Sequence, residues 1–234
     1  MGISIYTLTL KKLKKLKTTF FYFLIVCFTS CSLNEDRITE VDLGTINNNW
    51  VYTNKTFGFK FLLPTNYYIV RSGGIYPDGF VGDNNYLNEV NKIGNKTIST
   101  SEFKSNDLLS SSTIISIYKN PPKIDITNPD NPSPTDFISV AAHIPKKNYS
   151  SEKEFIEGVY KNLTLSKIPI SISDLSIDSS TFKTIKFEVN NTDNSTVKMF
   201  VAHKKYSNVF LTITIYYASD AYLKEALAIF SKNS

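Results

Sequence analysis

Cysteine is nearly absent from this chain of 234 residues: there are two, Cys27 and Cys31, both within the first 31 positions. No thiol follows, so the rest of the sequence builds neither a disulfide framework nor a thiolate metal site. Histidine is equally scarce, with His143 and His203 alone. No Gly-x-Ser-x-Gly elbow, His-Glu-x-x-His helix or phosphate-binding glycine loop occurs. An excess of one charge is missing too. Lys plus Arg number 26 against 21 Asp plus Glu, but residues 1–30 hold five of the lysines and no acid, so from residue 31 onward the two signs balance. That balance removes the basic surface expected of a nucleic-acid binder.

The amino-terminal segment is the most structured part of the sequence in meaning. Lys11, Lys12, Lys14, Lys15 and Lys17 precede an apolar core from Phe20 to Phe28, and Thr29 and Ser30 stand immediately before Cys31. Basic run, apolar core and small residues at a cut site form the order of a secretory signal. Its core of about 10 residues is half of what a membrane span requires. The stretch Phe28-Thr29-Ser30-Cys31 resembles the lipobox of bacterial lipoproteins, with Phe28 where Leu is usual. The resemblance implies cleavage before Cys31, acyl chains on the new terminus, and a mature chain held in the cell envelope. One acyl chain holds a protein marginally and two or more hold it stably. Ser32, in place of the Asp that retains such proteins in the inner membrane, implies the outer membrane by the same resemblance. Residues 31–49 then read as a lipidated polar tether, leaving 50–234 as a single domain.

Within that domain the apolar pattern has two periods. Phe57, Phe59, Phe61 and Leu63 alternate with Gly58, Lys60 and Leu62 up to Pro64, the period of a half-buried strand, and Trp50-Val51-Tyr52 predict its hairpin partner. Phe182 to Val189, Val197 to Lys204 and Val209 to Tyr217 repeat the period across short polar turns, which makes neighbours antiparallel. Ile114 to Lys119 and Phe137 to Ile144 add two strands. Helical spacing occurs twice: Phe155, Ile156, Val159, Tyr160 and Leu163 after a Ser151/Glu154 capping box, and Tyr222, Leu223, Ala226, Leu227 and Phe230 after Ser219 or Asp220. The expected class is α+β, an antiparallel sheet covered by helices. Arg71 to Ser112, rich in Gly, Asn and Ser, reads as one long loop; Lys119 to Asp136, broken by five prolines, reads as another.

Trp50 to Pro64, with its Tyr, polar turn and Phe-Gly-Phe strand, resembles the first hairpin of PsbP-like domains. Val209 to Tyr217 and the helix to Phe230 are similar to that family's last strand and closing helix. The resemblance implies an α/β/α sandwich and a role in binding other proteins, not in catalysis. It carries no binding residue onto this chain.

Candidate sites are correspondingly few. His143 and His203 lie in predicted strands and read as half-buried strand residues, since no carboxylate or further ligand accompanies them in sequence. Asp125, Asp130 and Asp136 match no twelve-residue calcium loop. Tyr67, Tyr68, Tyr76, Tyr86 and Tyr118 could line a binding face or fill the core. From the two long loops, Tyr76, Phe80, Tyr86 and Tyr118 are the expected partner surface, with Cys31 as the lipidation site. No catalytic residue, cofactor or metal is expected. The expected function is a membrane-anchored envelope protein that binds another protein or assists assembly. A glycan- or lipid-binding lipoprotein, or an envelope hydrolase, is the alternative.

Overall fold

A computed structural model of the chain describes residues 36–71, 79–94, 96–121, 136–161, 171–177, 180–190 and 196–231. The described strands and helices all lie within Ile38–Ser234. Short strands come first: β1 (Glu40–Asp42), β2 (Thr45–Ile46), β3 (Val51–Asn54), β4 (Phe59–Leu62) and β5 (Tyr68–Arg71). Helix α1 (Asn84–Gly94), β6 (Thr97–Ser99), a 3-10 turn (Thr100–Glu102) and β7 (Lys104–Ser105) follow. Then come β8 (Leu109–Tyr118), β9 (Phe137–Pro145), α2 (Glu152–Val159), β10 (Ser171–Ile177), β11 (Ser180–Asn190), β12 (Thr196–Tyr206), β13 (Val209–Tyr217) and α3 (Asp220–Ser231).

The main sheet is antiparallel in the order β10-β11-β12-β13-β9-β8-β5, with β7 also pairing on β8. A three-stranded sheet, β2-β3-β4, and a β1-β6 pair complete the strands. Alternation along β13 divides the main sheet into two faces. Val209, Leu211, Ile213, Ile215 and Tyr217 point into the principal core with Ile138, Val140 and Ala142 of β9 and Ile115 and Ile117 of β8. Opposite them lie Tyr52, Phe59 and Phe61 of the small sheet, Tyr86, Leu87 and Val90 of α1, and Tyr222, Leu223, Ala226 and Phe230 of α3. Phe61 meets Phe230 edge-on at 5.1 Å, joining the small sheet to α3.

Half of the described residues are in strands, so the expected helix-covered α+β sheet and the α/β/α sandwich are both overturned. The reason is dimensional. Seven strands span about 29 Å, whereas a helix is about 10 Å across, and α2 and α3 run for only 8 and 12 residues. The small sheet does the covering that helices were expected to do.

Two further expectations change. The tether ends earlier than residue 49, because Val41, Leu43 and Ile46 are buried at 6% exposure or less and belong to the core. The long loop from Arg71 contains α1, whose Tyr86, Leu87 and Val90 repeat the spacing of the other two helices. Its cap differs from theirs, with Asp83 Oδ1 accepting from Asn85 N at 2.8 Å. Elsewhere capping follows the sequence closely. Ser151 accepts from Glu154 N, although the Glu154 carboxylate reaches Ser150 and not Ser151, and Ser219 caps α3 through Tyr222 N. The hydrogen bonds from Ser150 hold the Glu154 carboxyl below its ordinary value.

Burial of Val41, Leu43 and Ile46 makes truncation a direct test. A chain beginning at Ile38 is expected to melt as the longer chain does. One beginning at Asn47 should lose about 4 kcal/mol or more by chemical denaturation, since three apolar side chains leave the core. Equal stability of the two would contradict the placement of β1 and β2.

Candidate functional site

Among the described residues, α2 is the one helix that packs on the second face of the main sheet. Helix α2 closes the end over β11, β12 and β13: Phe155 stacks on Phe210 at 4.2 Å, and Ile156 joins Ile185, Phe187 and Val201. His203 lies under this lid, with Phe155 and Tyr160 rings at 5.2 and 5.6 Å. Its Nδ1 is paired with Thr212 Oγ1 at 2.9 Å, while its Nε2 is buried without a hydrogen-bond partner, as is Nδ1 of His143. Both imidazoles are therefore held neutral by burial. No carboxylate is hydrogen-bonded to either ring, so the pair has no acid/base partner among the described residues.

The same face carries a row of large side chains in register across six strands, which runs under α2 at its Met199–Phe187 end. Tyr68 of β5 pairs with Tyr118 of β8, Tyr118 with Phe137 of β9, Phe137 with Tyr216 of β13, Tyr216 with Met199 of β12, and Met199 with Phe187 of β11. Tyr118 and Phe137 stack at 4.8 Å and 10°, and Phe137 and Tyr216 at 4.2 Å and 7°. These spacings are those of the strands beneath, so each ring stands over its own strand and faces its neighbour. From Tyr68 to Met199 the row is half-buried, and at Phe187 it is buried in the cluster with Ile156 of α2. The next positions along β8, β9 and β13 are Ser116, Ser139 and Thr214, also in register, with Ser116 bonding Ser139 at 3.4 Å. None of these positions is charged. Partial burial raises the Tyr118 and Tyr216 phenols, so both hydroxyls stay protonated donors at neutral pH.

The expected surface residues fare unequally. Tyr118 belongs to the row. Phe80 is 43% exposed but precedes α1, away from the row in sequence and register. Tyr86 is 1% exposed and is a core residue whose hydroxyl accepts from Ile69 N at 2.6 Å. Burial on the core side of α1, against the β5 backbone, takes it out of the expected surface. Tyr76 and Cys31 lie outside the described residues. Tyr67 donates to Glu225 at 2.6 Å and is buried, whereas Tyr68, one residue on, joins the row. Phe137 and Tyr216 were not expected; their signal is their strand parity once β13, β9 and β8 are aligned. Asp125 and Asp130 lie outside the described residues, and Asp136 accepts from Ala218 N. Among the described residues no group of three His, Cys, Asp or Glu side chains could hold a metal ion.

The buried histidines impose a pH dependence. Unfolded, each takes a proton near 6.5; folded, burial lowers His143 to about 4 and His203 to about 3, the latter depressed further by His143. Between those values the unfolded chain binds more protons, so stability is lost as pH falls below 6.5. With both groups acting, the loss is at most about 2.7 kcal/mol per pH unit. Urea midpoints should fall between about pH 7 and about pH 5, and His143→Leu should reduce that fall by about half. A midpoint that is constant over this range would contradict the neutral burial.

No family model, curated protein or solved structure matches the chain. None of these comparisons supports a PsbP-like domain.

Proposed function

We propose that the chain is a lipid-anchored protein of the bacterial cell envelope whose open sheet face binds another protein, in a non-enzymatic, assembly-accessory role. Support for the anchor comes from the order of lysine run, apolar core and Cys31. Among the described residues no helix is long and apolar enough to cross a membrane, and attachment in this proposal is through the acyl group.

The observation that carries the binding reading is the stack Tyr118–Phe137–Tyr216. Phe137 carries a ring on each of its faces, at 4.8 and 4.2 Å, so neither of them is open to a ligand. A sugar needs an open ring face to stack upon. An uncharged row of ring edges beside serine and threonine hydroxyls suits the apolar centre and polar rim of a protein contact. This favours a protein partner over the glycan alternative.

Two experiments separate the parts of the proposal. Labelled palmitate should enter the wild-type protein and not Cys31→Ser, and the variant should leave the membrane fraction; an unlabelled wild type would contradict the anchor. Phe137→Ser with Tyr216→Ser should abolish capture of the envelope partner cross-linked to the wild type, at a cost of about 2–4 kcal/mol in stability. Undiminished capture by the folded double variant would contradict the face as the contact.

A further inference from the structure

Helix α2 is attached to the sheet more lightly than the strands beneath it are attached to one another. It is 8 residues long, too short to stand as a helix by itself. One side of it supplies the packing, with Phe155 on Phe210 and Ile156 among Ile185, Phe187 and Val201. Among the described residues its polar ties run from the amino-terminal end to β12. Glu152 Oε1 accepts from Lys205 N at 2.9 Å, and Lys205 Nζ donates to the carbonyl oxygens of Tyr149 at 3.0 Å and Ser150 at 3.4 Å. β12 itself pairs with β11 on one side and β13 on the other. The helix therefore comes free at lower cost than the sheet.

His203 sits at the joint between them and is 1% exposed. Thr212 Oγ1 is bonded to its Nδ1, the Phe155 and Tyr160 rings lie against it, and its Nε2 meets no hydrogen-bond partner. A proton taken up by the ring puts N–H on both nitrogens. Thr212 can accept one of them; the other becomes a buried charged donor with nothing to accept it. In register His203 stands between Thr212 of β13 and Lys183 of β11. The next row runs Lys104, Ser111, His143, Phe210 and Lys205 across β7, β8, β9, β13 and β12. Three lysines and a second imidazole are thus the cationic groups in these two rows, and like charges oppose a proton on the ring. The carboxylates nearby are engaged elsewhere. Glu152 of α2 is held by Lys205 N, and Asp174 of β10 pairs with Lys183 Nζ at 2.6 Å. Lys153, Glu154 and Glu157 of α2 are exposed, and Tyr149 packs edge-on against Phe155.

Water reaches the ring when the helix lifts, and a hydrated imidazolium then has its acceptors. We propose that α2 is an acid-released lid: a proton taken up by His203 detaches the helix from the sheet while the core on the opposite face stays folded. His143, beside Phe210 in the register, gains the same access as Phe155 leaves. Release uncovers Ile185, Phe187 and Val201, so the uncharged row acquires its β11 end in acid and loses it at neutral pH. The lid rests on the packing and hydrogen bonds of α2, not on the lipid anchor or on the partner proposed for the face.

Native-state hydrogen exchange of the full-length chain in detergent tests it, followed from pH 7 to pH 5 and corrected for the intrinsic pH dependence of exchange. The reporters are the amides of Phe155 and Tyr160, bonded to Ser151 O and Ile156 O, against those of Leu211 and Ile213 in β13. The opening constant at Phe155 and Tyr160 should exceed that at β13 throughout and rise about 20-fold or more toward pH 5, the factor set by one histidine that is protonated only when open. In His203→Asn, whose amide can keep the Thr212 bond, and in His203→Leu, the rise should be smaller by about that factor. No rise in the wild type, α2 and β13 amides opening together, or a rise undiminished in the folded variants would overturn the lid.

Discussion

The continuous antiparallel pairing of β12, β13, β9 and β8 is the constraint on which the rest depends. Since side chains alternate with a period of two, the register that sends Val209, Leu211, Ile213 and Ile215 inward necessarily sends Phe210, Thr212, Thr214 and Tyr216 to the other face. A slip of one residue would exchange the two sets and expose a row of isoleucines. The core face thus fixes the composition of the open face, and the stacked rings at its end follow from strand spacing without further design.

Coverage of the two faces differs because the available elements differ. A sheet this wide needs more apolar surface than three short helices supply, and the strands near the amino terminus provide it. Tyr52, Phe59 and Phe61 form one side of that layer, and Arg71 pins its connecting loop by holding Leu43 and Gly44. Gly94 lets α1 approach that guanidinium, since a Cβ there would collide with it. On the other face α2 closes only one end, which leaves the β8–β9–β13 rows half-buried.

Strongly periodic segments were legible in the sequence. β4, β8, β9, β11, β12, β13 and both helices with aromatic-rich apolar faces emerge from spacing alone. What was not legible has identifiable causes. α1 carries Asn84, Asn85, Asn88 and Asn91, poor helix formers that read as loop, and its stability comes from packing of Tyr86 and Val90 and from Asn91 bonding Ile46 in both directions. β1 and β2 span three and two residues, too short to show a period. The aromatic row is built from residues far apart in sequence, and only the register brings Tyr118, Phe137 and Tyr216 together. Helical apolar faces recur over two or more turns and show in the sequence, whereas β1 and β2, which help to cover the sheet, are too short to do so.

The central claim, that the open face is the contact surface, is tested most directly by placing a photo-cross-linking amino acid at single positions in living cells. Thr113, at the edge of the open rows, and Lys224, on the exposed side of α3, are suitable positions because both are exposed. The account predicts one discrete cross-linked product from position 113 and none from position 224. Equal products from both, or a product from position 224 alone, would contradict it.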